Sequence, residues 1–282
     1  MDPLAAPGTK GIKMKKIILI TLAMILIAAL LFWALNRTGI RLDKPESVCY
    51  DTVGERFLIS NLGNGSIIAM DSTGVLSEYM PRAFKSPKGI FLHDGKLYVT
   101  EPTQIQVVDV ANASIIDSYP IEGAIGLNDI ALTEQGLLYV TDTLGDCVYV
   151  YDPATKTQEK IISPLLDKPN GIVYDRPRWQ MFVVNNSTHS PILSIDVRSK
   201  ETSIFMDTIY SQLDGIAIDD LGRIYFSSWA ESMIIEIPQE QNRFITKLKD
   251  YEGAADLYYH LPGNELIVPM LKQNRIERIS LD

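Results

Sequence analysis

Two cysteines, Cys49 and Cys147, are the whole thiol complement of this 282-residue chain, and histidine occurs three times. So few cysteines exclude a disulfide-rich scaffold, and both stand in apolar, strand-like contexts, as buried free thiols do. The chain has no C-x-x-C, H-E-x-x-H, P-loop or G-x-S-x-G sequence, which removes the usual redox, zincin, nucleotide and serine-hydrolase signatures. His93, His189 and His260 fall in turn or loop contexts ("LHDGK", "STHSP", "YHLPGN") and read as surface residues. Positive charge is also short: 26 Lys and Arg face 35 Asp and Glu, a net charge of −9. That balance excludes nucleic acid as a partner. No stretch after residue 36 sustains a helical period, which argues against parallel α/β folds.

One long hydrophobic run is present. "IILITLAMILIAALLFWAL", residues 17–35, is uncharged and long enough to cross a bilayer core of roughly 30 Å. Lys10, Lys13, Lys15 and Lys16 precede it, so the positive-inside bias keeps the N-terminus cytoplasmic. A cleaved signal peptide would have a shorter apolar region and a small-x-small site, whereas this run ends "FWALNRTG". The expectation is a cytoplasmic tail over 1–16, a single-pass signal anchor over 17–35, and a domain over 37–282 on the extracytoplasmic side. Without residues 1–36, which hold four Lys and one Asp, the net charge is −12.

That domain repeats. Six segments align: "PESVCYDTVGERFLISN", "PKGIFLHDGKLYVTE", "LNDIALTEQGLLYVTD", "PNGIVYDRPRWQMFVVN", "LDGIAIDDLGRIYFSS" and "ADLYYHLPGNELIVPM". They start at residues 45, 87, 127, 169, 213 and 255, so the period is 40 to 44 residues. Each has a short apolar strand, a polar turn and a second apolar strand. A third strand follows, often ending in Asp ("SIIAMD", "CVYVYD"), and then a more polar fourth. Four strands per repeat of about 40 residues predict an all-β, six-bladed β-propeller with four-stranded blades. The last copy ends with its third strand, so residues 37–44 are expected to add the outer strand of blade six and hide its edge.

The second residue of each copy is polar: Glu46, Lys88, Asn128, Asn170, Asp214 and Asp256. Each enters an innermost strand, so the six should ring one mouth of the central channel. Polar residues at strand starts can simply cap turns in a wet channel. As a set, however, Glu, Asn, Asn and Asp offer the oxygen ligands of a hard cation such as calcium. The absence of Cys and His among them disfavours structural zinc.

On the words "PES", "LND", "PNG" and "LDGIAID", the chain resembles the senescence marker protein, gluconolactonase and luciferin-regenerating enzyme family, with paraoxonases and strictosidine synthases more distant. The resemblance implies a divalent cation held by Glu46, Asn170 and Asp214, with Asn128 assisting at metal, water or substrate. Calcium is the first choice, with magnesium, manganese or zinc open. Paraoxonases place a His where this chain has Lys88, and neither Lys88 nor Asp256 inherits a role.

The resemblance implies a metal-dependent lactonase or esterase acting on a small-molecule lactone or ester. Asp214 would be the general base, with Asn128 and Lys88 binding substrate. A non-catalytic propeller that binds a ligand or protein around a structural cation is the alternative. A condensing enzyme like strictosidine synthase, which needs no metal, is a third reading. The loops over the mouth are short and chemically mixed, which leaves the substrate open.

Overall fold

The computed structural model describes residues 18–27 and 39–281. The chain divides into two units, residues 1–40 and 41–282. In the first, residues 18–27 are helical. Among the described residues no helix is long and apolar enough to cross a membrane. Most of the span expected over 17–35 lies outside the described residues.

The second unit is a six-bladed propeller in which each blade is an antiparallel meander, ordered from the innermost strand outward. The innermost strands are Pro45–Asp51, Ile90–His93, Leu127–Leu132, Pro169–Asp175, Leu213–Ile218 and Tyr258–His260. Second strands such as Arg56–Asn61, Leu138–Asp142 and Ile224–Ser228 are buried almost throughout. Neighbouring blades cover both of their faces, which is why these strands read as apolar runs instead of alternating. The outer strands meet solvent, and Thr157–Ile162 is exposed at five of six positions.

The core is divided among the blade interfaces. Leu58, Ile67 and Phe84 of the first repeat pack with Leu97 and Val108 of the second, and similar clusters fill the next four interfaces. The Asp residues that end third strands cap the following turns. Asp71 accepts the N–H groups of Thr73 and Val75, and Asp196 those of Arg198 and Ser199. In blade 2 the inner hairpin turns on Asp94 and Gly95, both at positive φ (47° and 69°), as a two-residue turn matched to strand twist requires.

Closure differs from expectation. Among the described residues blade 6 has three strands, Tyr258–His260, Glu265–Met270 and Arg275–Ser280. The described part of 37–44 does not add a fourth. It runs toward the inner strand of blade 1 and stays with that blade: the N–H of Asp43 donates to Asn61 Oδ1 (2.7 Å), and Gly63 and Leu62 donate to the carbonyls of Asp43 and Lys44. Feeding the innermost strand keeps this segment near the axis, away from the outer rim of blade 6. It touches blade 6 at the turn between the second and third strands, where the Lys44 N–H donates to Asn274 Oδ1 (2.8 Å).

The seam between blades 6 and 1 is closed by a backbone hydrogen bond from the Asp256 N–H to the Glu46 carbonyl (3.2 Å) and by side chains. Arg278 donates to Glu265 at 2.6 and 2.9 Å and to the Ser72 carbonyl of blade 1 at 2.7 Å. His260, read from its turn context as a surface residue, is buried here. Its Nδ1 lies 3.0 Å from Glu265 Oε1, and its ring packs on Tyr50 and Phe57.

Candidate functional site

Four of the ring positions sit on identical backbone irregularities. Where blades 1, 3, 4 and 5 pair their first two strands, the inner strand carries one extra residue, in a bulge. The residues inside these bulges are Glu46–Ser47, Asn128–Asp129, Asn170–Gly171 and Asp214–Gly215. A bulge re-aims a side chain out of the pleat, so a repeated bulge delivers one polar side chain per blade to the same place.

Two devices hold the bulges. Hydroxyls on the second strands accept the N–H after the ring residue: Ser60 from Ser47 (2.9 Å), Thr141 from Asp129 (2.9 Å) and Ser227 from Gly215 (2.8 Å). Thr141 also donates to the Asn170 carbonyl (2.6 Å), and Thr100 to that of Asn128, so blades 2 and 3 each fasten the next. The second device is glycine. A Cβ at Gly215 would stand 2.5 Å from Asp256 Cα, and one at Gly89 2.6 Å from Asp129 Cα. Adjacent inner strands approach so closely that a side chain is excluded.

Glu46, Asn128, Asn170 and Asp214 are all buried, and Lys88 and Asp256 are half-buried. Asn170 donates its amide to Asp214 Oδ2 at 3.3 Å. Asn128 donates to Thr143 Oγ1 at 3.1 Å, and Thr143 in turn to the Pro169 carbonyl at 2.7 Å. Asp256 accepts Ser47 Oγ (2.6 Å) and the Leu257 N–H (2.7 Å). Glu46 Oε2 is buried with no partner. Lys88 lies within electrostatic reach of Glu46 and Asp214 but forms no ion pair among the described residues.

Crowding of carboxylates shows in their proton affinity. Burial, and then the charge of Asp256, push Asp214 up to about 7, against the opposing pull of Lys88 and the Asn170 hydrogen bond. Burial raises Asp256 to about 6, although its bonds to Ser47 and Leu257 work the other way. Glu46 is raised well above the carboxylate range by burial and by Asp214. Asp129 is raised well above it by burial and by Asp256.

Asp129 was missed as a site residue. It occupies the place held by Gly89, Gly171 and Gly215 in other blades, and that break in the repeat was the available signal. Its oxygens accept the N–H groups of Ile130 (2.7 Å) and Ile172 (2.8 Å), tying blade 3 to blade 4. Together with Asp256 it borders a cavity of about 340 Å³ along the axis, walled by Val48, Ile90, Ile130, Ile172 and Ile216.

A buried oxygen without a partner, beside three carboxylates and one unpaired ammonium, is the environment that a bound cation would complete. Among the described residues no three His, Cys, Asp or Glu side chains form a metal cluster by themselves. With the side-chain oxygens of Asn128 and Asn170, Glu46 and Asp214 would make an all-oxygen donor set of the kind a hard divalent ion takes.

The family model for the SMP-30/gluconolactonase/LRE-like region matches residues 44–249. No curated protein sequence matches the chain significantly. Solved structures do. A gluconolactonase of Xanthomonas campestris superposes with a TM-score of 0.70 at 15% identity, covering 81% of this chain and 83% of that one. A catalytically inactive virginiamycin B lyase of Staphylococcus aureus, solved with quinupristin, gives 0.63 at 16% identity over 85% and 81%. A chain of a nidogen/laminin complex gives 0.64 at 14% identity over 77% and 91%. At such identities these structures establish the fold alone.

Proposed function

The chain belongs to the SMP-30/gluconolactonase/LRE-like family, and from that premise we propose that it is a hydrolase of the lactonase or esterase type. The observation that carries this reading is Glu46, buried with one oxygen unpartnered among the carboxylates of Asp214, Asp256 and Asp129 at the propeller mouth. Glu46, Asn128, Asn170 and Asp214 would hold a divalent cation, calcium first. Such an ion polarises a carbonyl oxygen and lowers the pKa of a bound water.

The remaining roles follow from the chain's own groups. Asp214, beside both the cation and its water, would take the proton of the attacking water; burial and Asp256 raise its proton affinity, and the cation it holds would draw that affinity back down. Water adds to the acyl carbon, the C–O bond to the leaving oxygen breaks, and the products are a carboxylic acid and an alcohol. Asn128, whose amide is oriented by Thr143, would position the substrate. Lys88, with no ion pair of its own, would meet its anionic oxygen. The lysines before residues 17–35 support a single-pass anchor, with the propeller on the extracytoplasmic side.

Elemental analysis of the purified chain, followed by a panel of lactones and esters with and without chelator, tests the reading. Turnover that chelation abolishes and calcium restores supports it. A bound cation with no turnover across the panel would leave a ligand-binding propeller in its place.

A further inference from the structure

Basic side chains gather where the chain enters the propeller. Arg41, Lys44, Arg82, Lys85, Lys272 and Arg275 are all exposed. Hydrogen bonds bring their segments to one place, the turn over residues 62–65 at the ring end of blade 1. Gly63 and Leu62 donate to the carbonyls of Asp43 and Lys44, and the Phe84 N–H donates to the Gly65 carbonyl at 3.0 Å. The Arg82 N–H reaches Ser66 Oγ at 2.9 Å, just past the same turn. On the other side, the bond from Lys44 to Asn274 draws in the turn that carries Lys272 and Arg275.

Two of these charges are answered locally. Lys272 pairs with Glu252 at 3.0 Å and Arg275 with Glu277 at 2.8 Å. Arg41, Lys44, Arg82 and Lys85 form no ion pair among the described residues. The nearest acids are turned to other uses. Asp43 is half-buried with its carboxyl against Gly63, and Glu101 is buried, accepting the N–H groups of Lys85 and Ser86. A domain of net charge −12 therefore keeps an uncompensated positive corner at its point of entry. Such a corner attracts a densely anionic surface.

Chain length selects the surface. The uncharged run ends at residue 35, and the five residues 36–40 span at most roughly 18 Å when fully extended. An anchor over 17–35 therefore holds Arg41 close to the headgroups of its own bilayer. We propose, resting on the single-pass anchor reading above, that the ring-side edge of blade 1 docks on anionic phospholipid headgroups through Arg41, Lys44, Arg82 and Lys85. Each basic side chain near an anionic leaflet strengthens association roughly fivefold. The attraction is screened beyond about 8 Å at physiological salt, so the docking is salt-sensitive.

The test uses the full chain in vesicles of phosphatidylcholine, with or without phosphatidylglycerol, carrying spin-labelled lipids. Both native thiols are buried, so a fluorophore goes only to an introduced cysteine. Ala83→Cys places it between Arg82 and Lys85, and Val53→Cys on the exposed turn at the far end of the same blade. The expected result is quenching at position 83 well above that at 53, which rises with phosphatidylglycerol and disappears in high salt. Arg41→Gln and Lys85→Gln should each lower the docked-to-free ratio roughly fivefold, and Arg41→Lys should keep it. Equal quenching at the two positions, or quenching blind to phosphatidylglycerol and to the glutamine substitutions, overturns the docking. Flotation of the unlabelled chain separates the two readings. If it floats with phosphatidylcholine alone while position 83 ignores phosphatidylglycerol, the anchor stands and the docking falls. If it floats only with phosphatidylglycerol and position 83 is quenched there, the anchor falls and the docking stands.

Discussion

Asn170 gives its side-chain amide to a carboxylate oxygen of Asp214 at 3.3 Å, linking the innermost strand of one blade to that of the next. Each residue sits in a bulge closed by its own blade, so the link joins two preset positions. Replacing one partner should therefore change the chemistry more than the architecture.

Asp214→Asn should keep the fold and some cation affinity, because an amide still offers an oxygen. It should lose roughly 10²- to 10⁴-fold in turnover, the usual loss for a removed general base. Glu46→Gln should weaken cation binding first, with activity recovered by excess calcium. Turnover of the best lactone at saturating calcium separates the two; parental turnover by Asp214→Asn would end the assignment of Asp214 as base.

Without a bound cation, stability should fall as pH rises. Asp214 at about 7 and Asp256 at about 6 hold their protons more tightly folded than unfolded, where both titrate near 3.8. Their contribution is thus complete below about pH 4 and is lost as pH climbs through 6 and 7. Chelator-treated protein should melt several degrees lower at pH 8 than at pH 5.5, and millimolar calcium should restore it at pH 8 by binding the native state. Equal melting at both pH values without cation would contradict the carboxylate crowding.

Gly215→Ala should destabilise the propeller by roughly 1–3 kcal/mol, as overpacking does, because its Cβ would meet Asp256 Cα at 2.5 Å. At Gly136, where a Cβ meets nothing within 4 Å but φ is +81°, alanine should cost only backbone strain and leave the ring undisturbed. Calorimetric melts of both variants, with calcium titrations, check this; only Gly215→Ala should lower calcium affinity.

Protease added to intact cells should cut the propeller and spare residues 1–16 if residues 17–35 anchor the chain as proposed. Protection of residues 41–282 would place the propeller in the cytoplasm.

The propeller was legible because one pattern recurs six times at nearly constant spacing, and the ring was legible because aligned repeats expose aligned positions. What escaped notice depends on contacts between repeats. Asp129 looked like one more polar residue in "LND", yet its carboxylate reaches Ile172 in the following blade. His260 stands in a turn sequence, and only the packing of blade 6 against Tyr50 and Phe57 buries it. The expected outer strand failed for a similar reason: the polar residues before Pro45 look able to pair anywhere, and Asn61 and Gly63 hold them on blade 1.

A ring whose last blade is not interlocked with the first by a shared strand has a preferred place to open under load. Pulling on the segment before Pro45 stretches the bonds of Asp43 and Lys44 to blade 1, and through Lys44 the bond to Asn274. The other five interfaces are filled by apolar clusters, whereas this one is held by the Arg278 bridge to Ser72, the His260 contacts, the hydrogen bonds of Asp256 to Ser47 and Glu46, and the packing of Tyr258 on blade 1. Tension from the N-terminal side would therefore part the ring between its first and last blades. Because Glu46 lies in the first blade and Asp214 in the fifth, a cation shared between them would span that gap, and loading the site would raise the force needed to unroll the domain.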